Sequence, residues 1–228
     1  MLTKKEKMSE TYLVGTILAV VGGYLDVYTY ISRGEVFANA QTGNIILFGI
    51  KLARGNFWQA FCYFLPIAAF ILGVVLAESI RSLIVSKHLH WKQIVIVIEI
   101  LTLFIVAFIP AGRGDIIANV LVSFVSSLQI ESFRKVAGNV YATTMCTGNL
   151  RSGSELLFQY VKTGNKEYLI SGRKYFGIIV FFILGAVLGL IVTNYYGTKA
   201  VMFACLGLIT VFGLLFMNTK ESRIKSND

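Results

Sequence analysis

The sequence is poor in charged residues and in cysteine. Charged residues make up 14% of the 228 residues, where a soluble globular domain has about 25%. Hydrophobic residues make up 56%, and the mean hydropathy is +0.71. The three cysteines, Cys62, Cys146 and Cys205, are widely spaced and indicate neither a disulfide framework nor a zinc site. No long linker divides the chain, so we expect one integrated membrane-embedded unit.

The sequence also lacks the motifs of common enzyme classes. It contains no Walker-type glycine loop, no HExxH and no G-x-S-x-G. His88 and His90 alone are weak evidence for a metal site. We therefore predict no enzyme activity, no cofactor and no metal. A membrane enzyme that uses Asp26 with Glu131 stays an alternative only if both carboxylates face one cavity.

The net charge of +9 reflects loops rather than a nucleic-acid surface. The basic residues cluster between apolar runs, as in membrane proteins whose cytoplasmic loops hold Lys and Arg. With the N-terminus inside, sixteen of the 21 Lys and Arg residues fall in the inner segments. This bias predicts that both termini are cytoplasmic, and it predicts membrane lipid, not nucleic acid, as the surroundings.

Six apolar runs are long enough to cross a bilayer as helices. They lie at about 11–31, 58–80, 93–110, 115–133, 175–195 and 199–217. The sequence therefore predicts an all-α, polytopic membrane protein with about six transmembrane helices.

A polar segment that interrupts the first half of the chain recurs in the second half. Phe37-Ala-Asn-Ala-Gln-Thr-Gly-Asn44 resembles Tyr141-Ala-Thr-Thr-Met-Cys-Thr-Gly-Asn149. An acid precedes each copy at the same distance, Asp26 before the first and Glu131 before the second. Such paired breaks point to a binding site near the bilayer midplane. Three spans per half is an odd number, so we predict two inverted three-span repeats, residues 1–112 and 113–228, whose broken segments meet centrally.

The first break predicts a re-entrant half-helix. The apolar stretch from Asn44 to Ala53 is too short to span, Thr42 is a candidate N-cap, and Gly43 permits a sharp turn. The second break leaves two alternatives open. It can re-enter the membrane, or it can form an amphipathic helix on the inner surface with Lys162 and Lys166 toward anionic lipid.

These motifs resemble those of a known family. They are Gly23-Tyr-Leu-Asp26, Phe37-x-Asn39-x-x-Thr-Gly-Asn44, Leu128-Gln129 with Arg134, and Thr143-Thr144-x-x-Thr-Gly-Asn149. The pattern is similar to that of the YoaK-like membrane proteins, also called domain of unknown function 1275, over nearly the whole chain. The resemblance implies a multi-pass protein of the bacterial plasma membrane, of a kind often described as a small-molecule transporter. In that family the second block often reads Thr-Gly-Thr, so Asn149 departs from the pattern.

The predicted substrate-binding residues belong to the two breaks and the acids before them. They are Asp26, Asn39, Thr42, Gly43, Asn44, Gln129, Glu131, Thr144, Thr147, Gly148 and Asn149. Asp26 lies in an apolar span and suits a proton, a cation or a substrate amine; otherwise it is an interfacial acid. Glu131 has Arg134 one turn away, so a local ion pair is the alternative. The helix starts favour anionic groups, unless Thr-Gly-Asn is merely a capping turn.

These residues predict passage of a small polar or zwitterionic solute by alternating access, with a proton or cation as a candidate coupling ion. A passive pore is the first alternative, because opposed half-helices also describe a channel. A membrane scaffold is the second alternative, with Gly185 and Gly189 as the face for a partner helix. Association into a homo-oligomer is left open.

Overall fold

The computed structural model of the chain consists almost entirely of helices. It describes residues 11–83, 91–136, 139–140 and 146–224. The α-helices of the described residues are α1 (Tyr12–Ser32), α2 (Gln41–Ala53), α3 (Phe57–Leu83), α4 (Trp91–Val106), α5 (Asp115–Ser132), α6 (Cys146–Thr163), α7 (Lys166–Tyr196) and α8 (Ala204–Ile224). A 3-10 helix, Gly197–Phe203, joins α7 to α8. Strands β1 (Lys135–Val136) and β2 (Asn139–Val140) form a short antiparallel pair.

A helix occupies each of the six predicted apolar runs, namely α1, α3, α4, α5, α7 and α8. The main difference is at α7, which begins at Lys166 rather than near residue 175. Asn165 caps this helix, since its Oδ1 accepts a hydrogen bond of 2.9 Å from the Glu167 amide. This cap starts the helix at polar residues that lie before the apolar run and that hydropathy alone does not assign to it.

Three stretches are long and apolar enough to cross a bilayer by length and composition. They are Tyr12–Ser32, Phe57–Ser82 and Lys166–Phe216, the last of which contains all of α7, the 3-10 helix and the first part of α8. The chain therefore has the character of an all-helical membrane protein. Six as the number of spans stays a prediction.

Helix packing follows the same order in the two halves of the chain. α1 packs along α7, and α5 packs along α3. α2 lies on α3, and α6 lies on α7. α4 contacts α5, α8 contacts α1, and α4 and α8 contact each other. Each of the first four helices thus has a counterpart among the second four with equivalent neighbours, and α1 and α3 pack mainly on helices of the other half.

The core surrounds α1, and the outer faces of α3 and α7 are apolar. Leu18, Leu25 and Tyr28 of α1 are fully buried. Large exposed apolar side chains cover the outside of the other two helices, among them Ile71, Leu72 and Val75 of α3 and Val180, Leu184, Leu188 and Ile191 of α7. An apolar surface of this extent is unfavourable in water and suits contact with lipid chains.

Two glycines of α7 allow it to cross α1 closely. Gly185 lies against the backbone of Val20, and a Cβ at Gly189 would fall 2.8 Å from the Tyr24 carbonyl oxygen. Gly185 and Gly189 thus lie at a close helix crossing within the chain rather than at the face for a partner helix. Because α1 of the same chain occupies this face, the scaffold alternative loses the surface on which it was based.

Two further glycines lie at the same kind of crossing. Gly23 of α1 lies against the backbone of Phe182 in α7. In α3, Gly73 meets the Phe124 carbonyl oxygen and the Ser127 side chain of α5. Both crossings between the halves therefore bring helix backbones closer than larger side chains permit.

Arg33, just after α1, joins the first half to the loop between α4 and α5. Its guanidinium is fully buried and pairs with Asp115 at 3.1 Å. Nη2 donates to the Val106 carbonyl at 3.1 Å, and Nε donates to the Tyr28 hydroxyl at 2.9 Å. Asn119 Nδ2 donates to the Arg33 carbonyl at 2.7 Å. These hydrogen bonds fix one end of α1 against the ends of α4 and α5.

Candidate functional site

A cavity of about 820 Å³ lies where the two repeated polar segments meet. Helices α1, α3 and α7 form its walls, and the first turns of α2 and α6 open onto it. Most of the lining is apolar and includes the aromatic side chains of Tyr30, Phe37, Phe70 and Phe182. The polar part of the lining comprises Asp26, Asn39, Gln41, Thr42, Cys146 and Thr147.

Asp26 of α1 connects this helix to the start of α2. Its Oδ1 accepts a hydrogen bond of 2.6 Å from the Asn39 amide and one of 3.4 Å from the Ala40 amide. Asn39 Nδ2 in turn donates to the Gly22 carbonyl at 3.0 Å. The carboxylate is 5% exposed and also lines the cavity. Asp26 therefore both holds the loop before α2 and presents an acid to the cavity.

The prediction that Thr42 caps α2 is wrong. Ala40 is the N-cap residue, and it makes no side-chain cap hydrogen bond. Asp26 of α1 instead accepts hydrogen bonds from the Asn39 and Ala40 amides, directly before α2. A local sequence pattern does not reveal an acceptor on a different helix. Thr42 lies in the first turn of α2 and lines the cavity.

Asn44 shapes the loop before α2 rather than lining the cavity. Its side chain is fully buried, and its Nδ2 donates to the Phe37 carbonyl at 2.8 Å. The Phe37 amide donates back to Asn44 Oδ1 at 3.0 Å. Gly43 leaves room for the Phe37 ring, since a Cβ there would lie 2.7 Å from a ring carbon. These contacts place the Phe37 ring beside Tyr30, with 4.9 Å between ring centroids.

The second repeated segment reaches the same cavity through the start of α6. Cys146, Thr147 and Gly148 line the cavity, whereas Asn149 is buried outside its lining. Burial raises the pKa of the Cys146 thiol, and the Asp26 carboxylate raises it further. The Cys146 thiol at the start of α6 therefore lies close enough to the Asp26 carboxylate of α1 to interact with it electrostatically. Cys146 was not among the predicted site residues, although its place directly before Thr147-Gly-Asn149 could have indicated it.

The acid before the second break is placed differently from Asp26. Glu131 is not among the residues that line the cavity, and it pairs with Arg134 at 3.0 Å. Gln129 is fully buried on α5, also outside the lining. Thr144 lies outside the described residues. Of the predicted site residues, the structure brings together at the cavity Asp26, Asn39, Thr42, Thr147 and Gly148.

Two of the tyrosines near Asp26 serve the packing of α1. The Tyr24 hydroxyl donates to the Ala200 carbonyl at 2.6 Å, and the Tyr28 hydroxyl donates to the Thr198 carbonyl at 2.9 Å. Of Tyr24, Tyr28 and Tyr30, only Tyr30 lines the cavity. Within the part of the chain that the structure describes, no cluster of three or more His, Cys, Asp or Glu side chains is placed to hold a metal ion.

Comparison with known proteins places the chain in one family. The family described as protein of unknown function (DUF1275) matches residues 14–214. The UPF0700 transmembrane protein YoaK of Bacillus subtilis (strain 168) is 28% identical over 145 residues, which are 60% of this chain and 63% of that relative. The chain thus matches less than two thirds of the relative's length. No solved structure matches. The chain is a membrane protein of the DUF1275 family, to which the YoaK-like proteins belong.

Proposed function

We propose that the cavity is the binding site of a transporter for a small polar or zwitterionic solute. One observation carries this proposal: the starts of α2 and α6, which contain the two Thr-Gly-Asn segments, open onto a single cavity beside Asp26. Paired breaks of this kind are typical of the substrate sites of secondary transporters.

The chemistry of the cavity suits a molecule that carries both a negative and a positive charge. The first turn of a helix presents unpaired N–H groups and a partial positive charge, which favour a carboxylate. Asp26 Oδ1 already accepts two backbone hydrogen bonds, so we assign the other carboxylate oxygen to a substrate amine or to a proton. The aromatic walls would enclose the apolar part of the solute. The cavity volume of about 820 Å³ lies within the usual range for small-molecule sites.

The transport mechanism we propose is alternating access between two inverted repeats. The reciprocal packing of α1 on α7 and of α5 on α3 supports two related halves. Six spans with both termini in the cytoplasm would invert the second half in the bacterial plasma membrane. Rocking of one half against the other would expose the cavity to each side in turn.

A binding screen followed by a transport assay tests the proposal. Purified protein is heated with a panel of amino acids, betaines and polar neutral solutes, and stabilising solutes are identified. We expect at least one zwitterion to raise the melting temperature of the wild type but not of Asp26→Asn. The matched control is Glu167→Gln, which removes an exposed carboxylate in the first turn of α7, outside the cavity lining, and should respond as the wild type does.

Transport of the identified solute is then measured in proteoliposomes. The proposal predicts saturable uptake that a proton gradient, acidic outside, stimulates, and that Asp26→Asn abolishes. Uptake that rises linearly with concentration and ignores the gradient would favour a passive pore. Binding without any uptake would contradict a transport function.

A further inference from the structure

Glu99, in the middle of α4, is a buried acid that the proposed solute site does not use. Its side chain is 0% exposed, and neither carboxylate oxygen has a hydrogen-bond partner among the described residues. An unpaired charge in such a position is costly, and polar groups buried in proteins are normally satisfied by protein or by ordered water. A buried acid in a membrane protein is a functional-site candidate by default.

Two contacts fix the register between α4 and α5. At one end, Lys92 Nζ lies 5.2 Å from the centre of the Phe133 ring. At the other end, Arg33 bridges the Val106 carbonyl and Asn119. The two helices run antiparallel between these contacts, which are fourteen residues apart on each helix. Glu99 of α4 and Ser126 of α5 occupy corresponding points of the two helices, each seven residues from both contacts.

Ser126 belongs to a row of buried polar side chains on α5. The row, which we name the α5 polar seam, consists of Asn119, Ser123, Ser126, Gln129 and Ser132. Asn119, Ser123 and Ser126 share one face of the helix, and the three-residue steps to Gln129 and Ser132 carry the row progressively around it. Each is at most 3% exposed and has at least one side-chain oxygen without a hydrogen-bond partner among the described residues. The seam continues past Glu99 in both directions.

We propose that Glu99 is a proton-binding site and that water held along the α5 polar seam connects it to bulk solvent. Lipid cannot satisfy the oxygens of the seam, whereas a water molecule bonds to two or more of them at once. The neutral, protonated acid avoids the cost of an unpaired buried charge. Uptake of one proton would convert the carboxylate to the neutral acid, and release of that proton would restore the carboxylate.

Among the residues that the structure describes, no cation pairs with Glu99. Cys205 of α8 lies close enough to Glu99 to interact with it electrostatically, and Tyr24 of α1 interacts with Cys205. Lys92 is two turns away along α4. Among the other charged groups of the described residues, Asp26 is buried in α1 at the cavity, Asp115 and Glu131 are in their ion pairs, Glu78 lies beside Arg81 and Glu131, and Lys199 of the 3-10 helix is exposed.

Infrared spectroscopy of the full chain in lipid tests this proposal directly. At neutral pH we expect the carbonyl stretch of a protonated carboxylic acid, lost in Glu99→Gln. It should persist in Glu167→Gln, which changes an exposed glutamate in the first turn of α7, and in Asp26→Asn. Glutamine mimics the shape of the neutral acid, so the variant should fold. Transfer to D2O should shift the band, because water reaches the acid along the seam.

A double variant, Ser123→Ala with Ser126→Ala, tests the seam itself. The rate of the D2O shift should fall at least about fivefold, the factor that corresponds to a barrier increase of about 1 kcal/mol. An unchanged spectrum in Glu99→Gln would show that Glu99 is ionised and would overturn the proposal. A band that does not shift in D2O, or one that shifts at the wild-type rate in the double variant, would overturn the hydrated seam. Neither outcome depends on transport of any solute.

Discussion

Replacement of Gly185 by alanine should weaken the crossing of α1 and α7. The added Cβ would lie 2.7 Å from the Val20 carbonyl carbon and 2.8 Å from its Cα. Nonbonded carbons normally stay about 3.5 Å or more apart, so α7 must move by at least about 0.8 Å. Backbone atoms cannot rotate away as a side chain can. Overpacking costs about 1–3 kcal/mol, and the better helix propensity of alanine returns about 1 kcal/mol. Because the clash is with backbone atoms, the cost should lie in the upper part of that range, about 2–3 kcal/mol, so we expect a net loss of about 1–2 kcal/mol in the free energy of unfolding.

Thermal unfolding in detergent micelles, followed by tryptophan fluorescence, measures this loss. For a chain of this size the melting temperature should fall by about 2–8 °C. Gly213→Ala in α8 is the matched control, because a Cβ there meets nothing within 4 Å. That variant should melt at the wild-type temperature or slightly above it. Equal melting temperatures for the two variants would refute the close approach of α1 and α7.

Three further predictions concern the buried charges and the cavity. Asp26→Asn keeps an oxygen acceptor for the two loop amides and removes a buried charge, so the free energy of unfolding should change by less than about 1 kcal/mol in the same thermal assay. Arg33→Met leaves Asp115 unpaired and should cost about 3–5 kcal/mol, whereas methionine at exposed Arg54 should change little, as chemical denaturation would show. Because burial and the Asp26 carboxylate raise the pKa of the Cys146 thiol, less reactive thiolate is present at neutral pH. In a protein without the other two cysteines, the maleimide reaction rate should rise with pH, and Asp26→Asn should shift that profile to lower pH.

The positions of the helices could be predicted because their signals are local. Long apolar runs set α1, α3, α4, α5, α7 and α8, and the two Thr-Gly-Asn segments mark the starts of α2 and α6. Gly185 and Gly189, four residues apart on one helix face, indicated a close crossing, and one is present. Each of these features depends on neighbouring residues in the sequence, which is why a single sequence contains it.

The roles of individual polar side chains could not be predicted because they depend on distant contacts. Asn44 bonds to the backbone of Phe37 instead of lining the cavity. Asp26 and Glu131 occupy equivalent places before the two breaks, but only Asp26 reaches the cavity. Glu131 has Arg134 one turn away and pairs with it, whereas no basic residue follows Asp26 at that spacing. The repeat thus predicts backbone positions better than it predicts side-chain partners.

The account's central claim is that the starts of α2 and α6 face one water-accessible cavity. Its most direct test uses two proteins that each keep one cysteine, native Cys146 in one and Thr42→Cys in the other. Both should react in membranes with a charged thiol reagent that does not cross lipid. A third protein that keeps only Cys62, which is outside the cavity lining, should react much more slowly. With both cavity cysteines present, modification of one should protect the other. Reaction at Cys146 but not at Thr42→Cys, or independent reaction at the two positions, would contradict a shared cavity.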